Sequence, residues 1–386
     1  MTRQKILYLT YESLKTQPIL RSQVIPLIKA IAEQSDYETD LVTVEESPDR
    51  FVRQLSSSVR HLPVQKKNFL RDMVAGLRFM LKNGKNYQIV HVRSYFPMFY
   101  LLVYRLFRGR FRLIFDMRGL MPYEFKLRAR RRPVYMRYYR VMLFFERLFV
   151  RMAGVIVVVS ANFQRYLQSV YAVPEEKVFR VSTFAVMRAD TPAQRKIVFP
   201  DISDPLIFVY SGSMEEWQQF DSVCLLFLEI QKAIPRARLL VLTNQADEAM
   251  TFLRHFGDDL FQVRTAPYQE MGGYLQQCHY GFLIRENHLV NQVAAPIKLN
   301  DYFSAGLKVI ISPNIGDSQH LVEKYGLGLI LNDYSHEGVC RFVRAYHEDL
   351  QENYDKKLIR EVFREQFDIG IAVNKYIQIY NQLLER

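Results

Sequence analysis

The chain has 386 residues, of which 49% are hydrophobic and 24% are charged, and its net charge is +12. This composition excludes an intrinsically disordered protein, and the length favours two domains over a single core. Three widely spaced cysteines fit buried thiols in a reducing cytoplasm better than a disulfide framework or a metal site. We expect neither a signal peptide nor a transmembrane helix, because no long apolar run occurs.

Strand-like and helix-like segments alternate through the first half of the chain. The predicted strands are KILYLTY, TDLVTVE, YQIVHVRS, FRLIFDMRG and GVIVVVSA, and amphipathic segments that predict helices lie between them. Short apolar runs in this alternation indicate a parallel sheet with helices on both faces. A polar stretch with prolines at residues 187–205 then predicts a linker.

The second half repeats the alternation, and helical segments fill its tail. Its predicted strands are LIFVYSGS, ARLLVLTN, FQVRTAP, YGFLIRE, KVIIS and LGLIL. The pattern predicts an α/β protein with two tandem Rossmann-like domains, at residues 1–195 and 205–367. Such sheets bind ligands at the carboxyl ends of their strands, so we expect the site in a central cleft between the domains.

Positive charge is concentrated in the first half. Residues 1–200 contain 35 Lys and Arg against 15 Asp and Glu, and residues 51–150 contain 22 against 4. This asymmetry indicates an anionic partner, either a membrane surface or nucleic acid. Arginines interleave with aromatic residues over 94–152 and are densest in RARRRP, residues 128–133. That mixture suits a lipid headgroup zone, although it also fits single-stranded nucleic acid or a solvated basic face.

The segment APIKLNDYFSAGLKVIISP, residues 295–313, carries the strongest indication of chemistry. It predicts a tight loop, a short helix that carries Lys298 and Asp301, and a buried strand. Helix amides and Lys298 suit a diphosphate, and Asp301 is placed to accept hydrogen bonds from ribose hydroxyls. The plainer alternative is that Asp301 caps the helix or pairs with Lys298 on a solvated face.

This segment resembles the donor-site segment of bacterial glycosyltransferase family 4 enzymes, in which a P-x-K-x-x-E-Y-x-x-x-G-x-x-V-I pattern recurs. The matching residues are Pro296, Lys298, Asp301, Tyr302, Gly306, Val309 and Ile310, with Asp in place of the usual Glu. The resemblance implies a GT-B fold, with the acceptor on the first domain, the nucleotide sugar on the second, and retention of stereochemistry. It also implies that a C-terminal helix, residues 368–386, crosses back to the first domain.

Further donor-site candidates follow predicted strands of the second half. Gly212 permits close approach of a ligand to the backbone, and Arg285 offers a second cation for the leaving diphosphate. Asn291 lies in the loop expected under the transferred sugar, while Tyr268 and Asn244 border the expected position of the base. Each has a plainer alternative: a turn glycine, a surface ion pair of the arginine with a nearby glutamate, or ordinary loop residues.

Two departures from the family pattern affect the donor site. The first carboxylate of the family's Glu-x7-Glu pair falls on Val293, so sugar recognition must use other residues, such as Asn291 or Glu286. The family also tends to place a basic pair after the glycine-rich turn, where this chain has residues 214–219, MEEWQQ. The phosphate charge is therefore left to Arg285 and Lys298.

On the acceptor side, Asp116 ends the predicted strand FRLIFD and is followed by Arg118. We expect its carboxylate to take the proton of the acceptor hydroxyl or to orient that hydroxyl. The alternative is a structural pair between Asp116 and Arg118. His91, in the neighbouring strand, fits a hydrogen-bonded core residue better than a catalytic one.

Together these features predict a metal-independent glycosyltransferase without a cofactor. It would move a sugar from a nucleotide-diphosphate sugar to a lipid-linked or glycan acceptor in surface-polysaccharide assembly. Lys298 and Arg285 would hold the departing diphosphate while Asp116 positions the acceptor oxygen. We expect it in the cytoplasm, peripheral at the inner face of the cell membrane. The alternatives are a nucleotide-sugar epimerase, against which the basic half argues, and a non-enzymatic nucleic-acid binder, which leaves residues 295–313 unexplained.

Overall fold

The computed structural model describes residues 4–17, 19–46, 53–109, 111–185 and 196–385. The chain divides into two compact units: unit 1 comprises residues 1–186 and 369–386, and unit 2 comprises residues 187–368. Each unit contains a largely parallel β-sheet with helices packed against it, as the alternating pattern predicts. In the described part of the chain, every helix is too short or too polar to cross a membrane.

In the part of unit 1 that precedes unit 2, the described residues form eight strands and six α-helices. Its strands are β1 (Gln4–Leu9), β2 (Tyr37–Glu45), β3 (Arg53–Ser56), β4 (Val59–Gln65), β5 (Ile89–Arg93), β6 (Leu113–Asp116), β7 (Val155–Val158) and β8 (Val178–Arg180). Its helices are α1 (Ile25–Gln34), α2 (Phe69–Asn83), α3 (Phe96–Arg108), α4 (Met121–Arg128), α5 (Tyr135–Met152) and α6 (Ala161–Tyr171).

The strand order of unit 1 is β3-β4-β2-β1-β5-β6-β7-β8, and all pairs are parallel except β3 with β4. Strands β5, β6 and β7 are buried along their whole length, which explains their nearly continuous apolar sequences. The order changes direction between β1 and β5, so the carboxyl ends of these strands form a topological switch point. In register, Arg93 at the end of β5 lies beside Asp116 at the end of β6.

Strands β3 and β4 are absent from the sequence-based prediction. Their sequence, RQLSSSVRHLPVQ, is short, polar and interrupted by Pro63, all of which are typical of a sheet edge. The register explains why a proline is tolerated at position 63. Among the described residues, β3 pairs with β4 only as far as His61, so the end of β4 has no described neighbour on that side. These edge strands therefore lack the apolar runs that predict the other strands.

Unit 2 contains six strands and nine α-helices within the part that the structure describes. Its strands are β9 (Leu206–Ser211), β10 (Ala237–Leu242), β11 (Phe261–Arg264), β12 (Tyr280–Leu283), β13 (Lys308–Ile311) and β14 (Gly328–Ile330). Its helices are α7 (Phe220–Ala233), α8 (Ala246–Leu253), α9 (Tyr268–Leu275), α10 (Leu289–Gln292), α11 (Ile297–Ala305), α12 (Ser318–Tyr325), α13 (His336–Ala345), α14 (His347–Gln351) and α15 (Lys356–Phe367).

The strands of unit 2 are all parallel, in the order β11-β10-β9-β12-β13-β14. This is the doubly wound order of a Rossmann fold, in which the order reverses between the first and fourth strands. Ligands of such sheets bind outside the carboxyl ends of the strands at that reversal. In unit 2 this position lies after β9 and β12, where Gly212 and Arg285 follow their strands.

The predicted linker falls in part on residues 186–195, which lie outside the described residues. Its second part packs on unit 2. Ile197 and Phe199 are buried, Ile197 N donates to the side chain of Gln277, and the guanidinium of Arg238 lies over the Phe199 ring. Ile197 and Phe199 therefore contribute to the core of unit 2, while Val198 between them is exposed.

The last helix, α16 (Ile369–Glu385), belongs to unit 1. It packs beside α1 and buries a stripe of apolar side chains against β1, β5, β6 and β7. Two tyrosines of this stripe, Tyr376 and Tyr380, carry hydroxyl groups toward the polar ends of β5 and β6. A helix that follows unit 2 in the sequence therefore completes the core of unit 1, as the family resemblance implies.

Candidate functional site

The loop after β9 leaves room for a cation above its backbone. Gly212 follows β9 with a φ of +148°, a conformation that favours glycine. A Cβ atom at this position would overlap the end of the Lys298 side chain, so any other residue would have to displace that ammonium group. The glycine and the lysine, which the sequence analysis singled out separately, therefore lie in direct contact.

Tyr302 fixes the position of Lys298. Its hydroxyl accepts a hydrogen bond from Ser211 N at 3.0 Å and donates to the carbonyl of Phe282 at 3.3 Å, so it bridges the ends of β9 and β12. Its ring packs so closely on Gly281 that a Cβ atom on that residue would overlap it. Lys298 precedes Tyr302 by four residues and shares its helix face. Anchoring the tyrosine therefore places the lysine over the end of β9.

Lys298 is enclosed by neutral groups. Its Nζ donates to Oε1 of Gln218 at 2.8 Å and lies 4.5 Å from the centre of the Tyr210 ring. Burial, together with the positive charge of Arg285, holds its pKa well below the ordinary value. Gln218 belongs to the segment where the family tends to have a basic pair, and it supplies a neutral oxygen instead.

Arg285, the second cation, follows β12. Its Nη1 donates to Oδ1 of Asn291 at 3.3 Å, its buried Nε has no hydrogen-bond partner, and burial lowers its pKa to about 10. The alternative ion pair with Glu286 or Glu270 is not formed. Among the described residues, neither Arg285 nor Lys298 contacts a carboxylate. Two neighbouring cations, half-buried and without an acidic partner among the described residues, make this position suited to a polyanion.

Asn291 is buried, and the protein itself uses its side-chain amide. Its Nδ2 donates to the carbonyl of Glu286 at 2.8 Å, and its Oδ1 accepts from Arg285. The carbonyl of Asn291 also accepts from Gly316 N at 3.1 Å. These contacts close the loop after β12 and orient Arg285. Asn291 therefore lies at the predicted site as a support for the arginine.

The other predicted donor-site residues are less closely connected to the two cations. Asp301 is half-buried, one helical turn after Lys298, and already interacts within the protein. Asn244 is exposed after β10, and Tyr268 is the first residue of α9, with its side chain outside what the structure describes. Val293 is 1% exposed, so the family's first carboxylate position is apolar core here. Binding roles for Asp301, Asn244 and Tyr268 stay predictions.

In unit 1, Asp116 lies at the centre of a buried polar cluster. Its Oδ2 accepts from Nη2 of Arg118 at 2.8 Å and from the Tyr376 hydroxyl at 3.1 Å, and lies 3.4 Å from Nε2 of His91. Nδ1 of His91 is 2.7 Å from the Tyr380 hydroxyl. Burial lowers the pKa of His91, so a neutral imidazole bridges the aspartate and the tyrosine.

The electrostatics of this cluster bear on the two roles predicted for Asp116. Burial opposes its ionisation, but Arg118 and His91 hold its pKa well below the ordinary value. A fully buried carboxylate with a depressed pKa is a weak proton acceptor, which favours orientation of an acceptor over proton abstraction. Oδ1 of Asp116 and Nε of Arg118 have no hydrogen-bond partner in the described structure, so the cluster retains polar atoms for a ligand.

Comparison with known protein families identifies part of the chain. Residues 23–183, which lie in unit 1, match the model of the glycosyl transferase 4-like domain. This part of the chain resembles a glycosyl transferase 4-like domain. The match confirms the predicted enzyme class, a glycosyltransferase, and favours it over the epimerase and the nucleic-acid binder. No curated protein sequence matches this chain.

Solved structures resemble this chain over nearly its whole length. Sucrose-phosphate synthase from Thermosynechococcus elongatus has a TM-score of 0.78 at 15% identity and covers 99% of this chain and 100% of its own. An E. coli structure described as trehalose-6-phosphate bound with UDP-2-fluoro glucose has a TM-score of 0.69 at 10% identity, over 99% of both chains. HepE from Anabaena, in complex with UDP and glucose, has a TM-score of 0.67 at 9% identity, over 98% and 100%. These likenesses confirm the GT-B fold.

Lys298→Met tests whether the buried ammonium group is held at the expense of stability. We expect the variant to unfold with a free energy roughly 1–4 kcal/mol higher than that of the wild type, because an apolar side chain needs no hydration. The folded pKa of Lys298 lies below its ordinary value of 10.5, so the wild type gains stability as the pH rises toward 10.5. The difference in the free energy of unfolding between the variant and the wild type therefore becomes smaller as the pH rises. Urea unfolding at several pH values measures this. A variant less stable than the wild type contradicts it.

Asp116→Asn tests the polar cluster of unit 1. We expect a loss of about 3–5 kcal/mol in the free energy of unfolding, because Arg118 is left as an uncompensated buried charge. Tyr376→Phe, which removes one hydroxyl, should lose only about 1 kcal/mol. The folded pKa of Asp116 lies below its ordinary value of 3.8, so its stabilisation is complete above pH 3.8 and is lost as the pH falls through the folded value. Equal losses for both variants argue against a charge pair.

Proposed function

We propose that the protein transfers a sugar from a nucleotide-diphosphate sugar to an acceptor. The observation that carries this proposal is the pair of half-buried cations, Lys298 and Arg285, which lie beside Gly212 and contact no carboxylate within the described part of the chain. They lie at the strand-order reversal of a Rossmann-type sheet, where such folds bind nucleotides. A diphosphate supplies the negative charge that both cations lack.

The same arrangement favours the departure of the nucleotide diphosphate. Negative charge builds on its terminal phosphate as the bond to the sugar breaks, and pre-positioned cations stabilise that charge without reorganisation. Lys298 and Arg285 repel each other, so a bound dianion would relieve their repulsion and raise the pKa of Lys298. Two protein cations provide the charge that Mg²⁺ supplies at other diphosphate sites, so we propose a metal-independent reaction.

Structural neighbours that hold UDP, or a UDP sugar analogue, support a nucleotide donor and make a UDP sugar the first to test. For the stereochemistry we propose retention, which the likeness of residues 295–313 to the family segment supports. For the acceptor we propose a lipid-linked or glycan molecule. The hydrogen-bonding capacity that the buried Oδ1 of Asp116 and Nε of Arg118 leave unused among the described residues supports a role of unit 1 in orienting its hydroxyl group.

Binding of inorganic pyrophosphate, UDP and GDP to Lys298→Met tests the donor site independently of base and sugar. We expect a loss of roughly 10- to 150-fold in affinity for all three, the range for a charge-assisted hydrogen bond of about 1.5–3 kcal/mol. Isothermal titration calorimetry of the wild type and the variant gives the affinities.

Lys308→Met is the matched control for this experiment. Lys308 lies over the ring of Tyr354 at 5.1 Å, as Lys298 lies over Tyr210, but it has no place among the proposed diphosphate contacts. We expect the control to bind like the wild type. The proposal is wrong if Lys298→Met retains wild-type affinity, or if both lysine variants lose affinity equally.

Neighbouring helices of unit 1 expose an unusual combination of apolar and basic side chains. Leu106 and Phe107 at the end of α3 are 81% and 67% exposed, and Val141 and Phe144 on α5 are 51% and 60% exposed. The exposed side of α5 also carries basic residues at helical spacing: Arg137, Arg140, Arg147 and Arg151. We name these side chains of α3 and α5 the α3–α5 surface. We propose that it binds an anionic membrane, because apolar side chains enter the acyl boundary while arginines meet lipid phosphates.

The exposed aliphatic residues favour a membrane over nucleic acid. Leu106 and Val141 offer no ring for stacking, on which sequence-tolerant binding of single strands depends. In the densest basic cluster, residues 128–132, Arg130 and Arg131 already interact within the protein. Membrane attachment at the inner face would bring the enzyme to a lipid-linked acceptor, and it supports the proposed role in surface-polysaccharide assembly.

Neutralising the arginines of α5 tests this surface. A triple variant carries Arg137→Gln, Arg140→Gln and Arg147→Gln. At about 1 kcal/mol per charge near an anionic surface, we expect it to bind phosphatidylglycerol vesicles more than roughly 100-fold more weakly. Flotation at low and physiological salt measures the binding, and retention of single-stranded DNA is measured in parallel.

A control variant removes the same number of charges from unit 2. It carries substitutions at three exposed residues: Lys324→Gln, Arg344→Gln and Lys357→Gln. It should float with the vesicles like the wild type. Equal loss in both variants would indicate a net-charge effect only, and tighter retention of DNA than of vesicles would favour nucleic acid.

A further inference from the structure

A cluster of three potential metal ligands lies on unit 2, between α7 and α13. Glu229 belongs to α7, and His336 and Cys340 belong to α13. Nε2 of His336 lies 3.3 Å from Oε1 of Glu229, Sγ of Cys340 lies 3.4 Å from Oε2 of Glu229, and Sγ of Cys340 lies 3.8 Å from Nε2 of His336. It is the one group of three such side chains within ligand distance among the described residues.

The local sequence and the packing explain why these side chains meet. His336 and Cys340 are four residues apart and therefore share one face of α13. The helix is held against α7 by apolar residues of the same core, among them Val339 and Phe342 of α13 and Phe227 of α7. Glu229 lies two residues beyond Phe227, so its carboxylate meets the polar edge of α13. The site is therefore built by two helices whose positions are fixed by the core.

The spacing of the ligand atoms is close to that around a single tetrahedral ion. With zinc at about 2.0–2.1 Å from nitrogen and oxygen and about 2.3 Å from sulfur, two ligand atoms of a tetrahedron lie about 3.3–3.6 Å apart unless both are sulfur. Nε2 of His336 lies 3.3 Å from one oxygen of Glu229 and Sγ of Cys340 lies 3.4 Å from the other, within this range, while the 3.8 Å between sulfur and nitrogen is slightly longer. One ligand atom of each residue lies within 4.8 Å of the other two, so side-chain rotation is enough to direct all three at one ion. Three protein ligands leave the fourth position to water, and the partial exposure of the cluster gives an ion access from solvent.

We propose that Glu229, His336 and Cys340 bind Zn²⁺ or a similar borderline divalent ion. The ligand types support this choice, since thiolate and imidazole select such metals and disfavour Mg²⁺ and Ca²⁺. An ion here joins α7 to α13 and stabilises unit 2 by mass action, because the unfolded chain does not hold the three groups together. The site is separate from the donor site, because Glu229 lies nine residues after Phe220, the first residue of α7, or about 13 Å along the helix.

One neighbouring cation competes with the metal. Nζ of Lys232 donates to Oε1 of Glu229 at 2.6 Å, and the ammonium and carboxylate stabilise each other. The lysine side chain is exposed and can turn to solvent when an ion binds. Lys232→Gln removes this competitor, so the proposal predicts tighter metal binding by this variant than by the wild type.

Binding of Co²⁺, a spectroscopic substitute for Zn²⁺, tests the site. We expect the full chain to bind one Co²⁺ with a thiolate-to-cobalt charge-transfer band in the near ultraviolet, and Zn²⁺ to displace it. Cys340→Ser should abolish the band. His336→Ala and Glu229→Gln should weaken binding at least about tenfold, the smallest effect seen even for groups that only support a metal ligand.

Two control variants locate the metal. Cys224→Ala alters a buried thiol, and His347→Ala alters a half-buried histidine on α14, so both should keep the band and the affinity. Melting temperatures without metal show whether each variant is folded. The proposal is overturned if the wild type shows no thiolate band, if Cys340→Ser retains it, or if the two controls lose it.

Discussion

Uncompensated positive charge in unit 2 is the constraint on which the proposed chemistry depends. Lys298 and Arg285 are half-buried, desolvation lowers the pKa of each, and neither has a described acidic partner. A folded protein tolerates this only where rigid elements hold the charges in place, because relaxation would carry them to solvent. The bridge from Tyr302 to the ends of β9 and β12 provides that rigidity, and Gly212 provides the space.

Unit 1 also contains a cation away from solvent, but there a carboxylate compensates its charge. Its buried guanidinium, Arg118, meets a carboxylate, Asp116, and both are tied to tyrosines of α16. A neutralised pair does not attract a polyanion, but its remaining donor and acceptor atoms can orient a hydroxyl group. The two units therefore differ in the charge they offer, although both place their polar groups at the carboxyl ends of parallel strands. Under the proposed function, this difference places the phosphate in unit 2 and an uncharged acceptor group in unit 1.

The sequence predicts the sheets better than the contacts among their loops. Buried strands such as β6 and β9 are short apolar runs, and they were found; β3 and β4 are polar edge strands, and they were missed. Lys298 was found because its helix has a family pattern, whereas its partner Gln218 is 80 residues away and has no pattern of its own. Nothing in the sequence indicated that the side-chain amide of Asn291 bonds to Arg285, because this contact forms only when the fold closes the loop.

The buried Val293 constrains how the sugar is recognised. In the family pattern a carboxylate at this position would be available for sugar hydroxyls, but here an apolar side chain fills the core. Asn291 does not replace that carboxylate, since both ends of its amide already bond within the protein. Glu286 is the remaining carboxylate in the loop that begins with Arg285, and its backbone is fixed by Trp217 and Asn291. Under the proposed function, the selection of the sugar therefore shifts from position 293, at the end of α10, to the residues that directly follow β12, and donor identity does not follow from the family pattern.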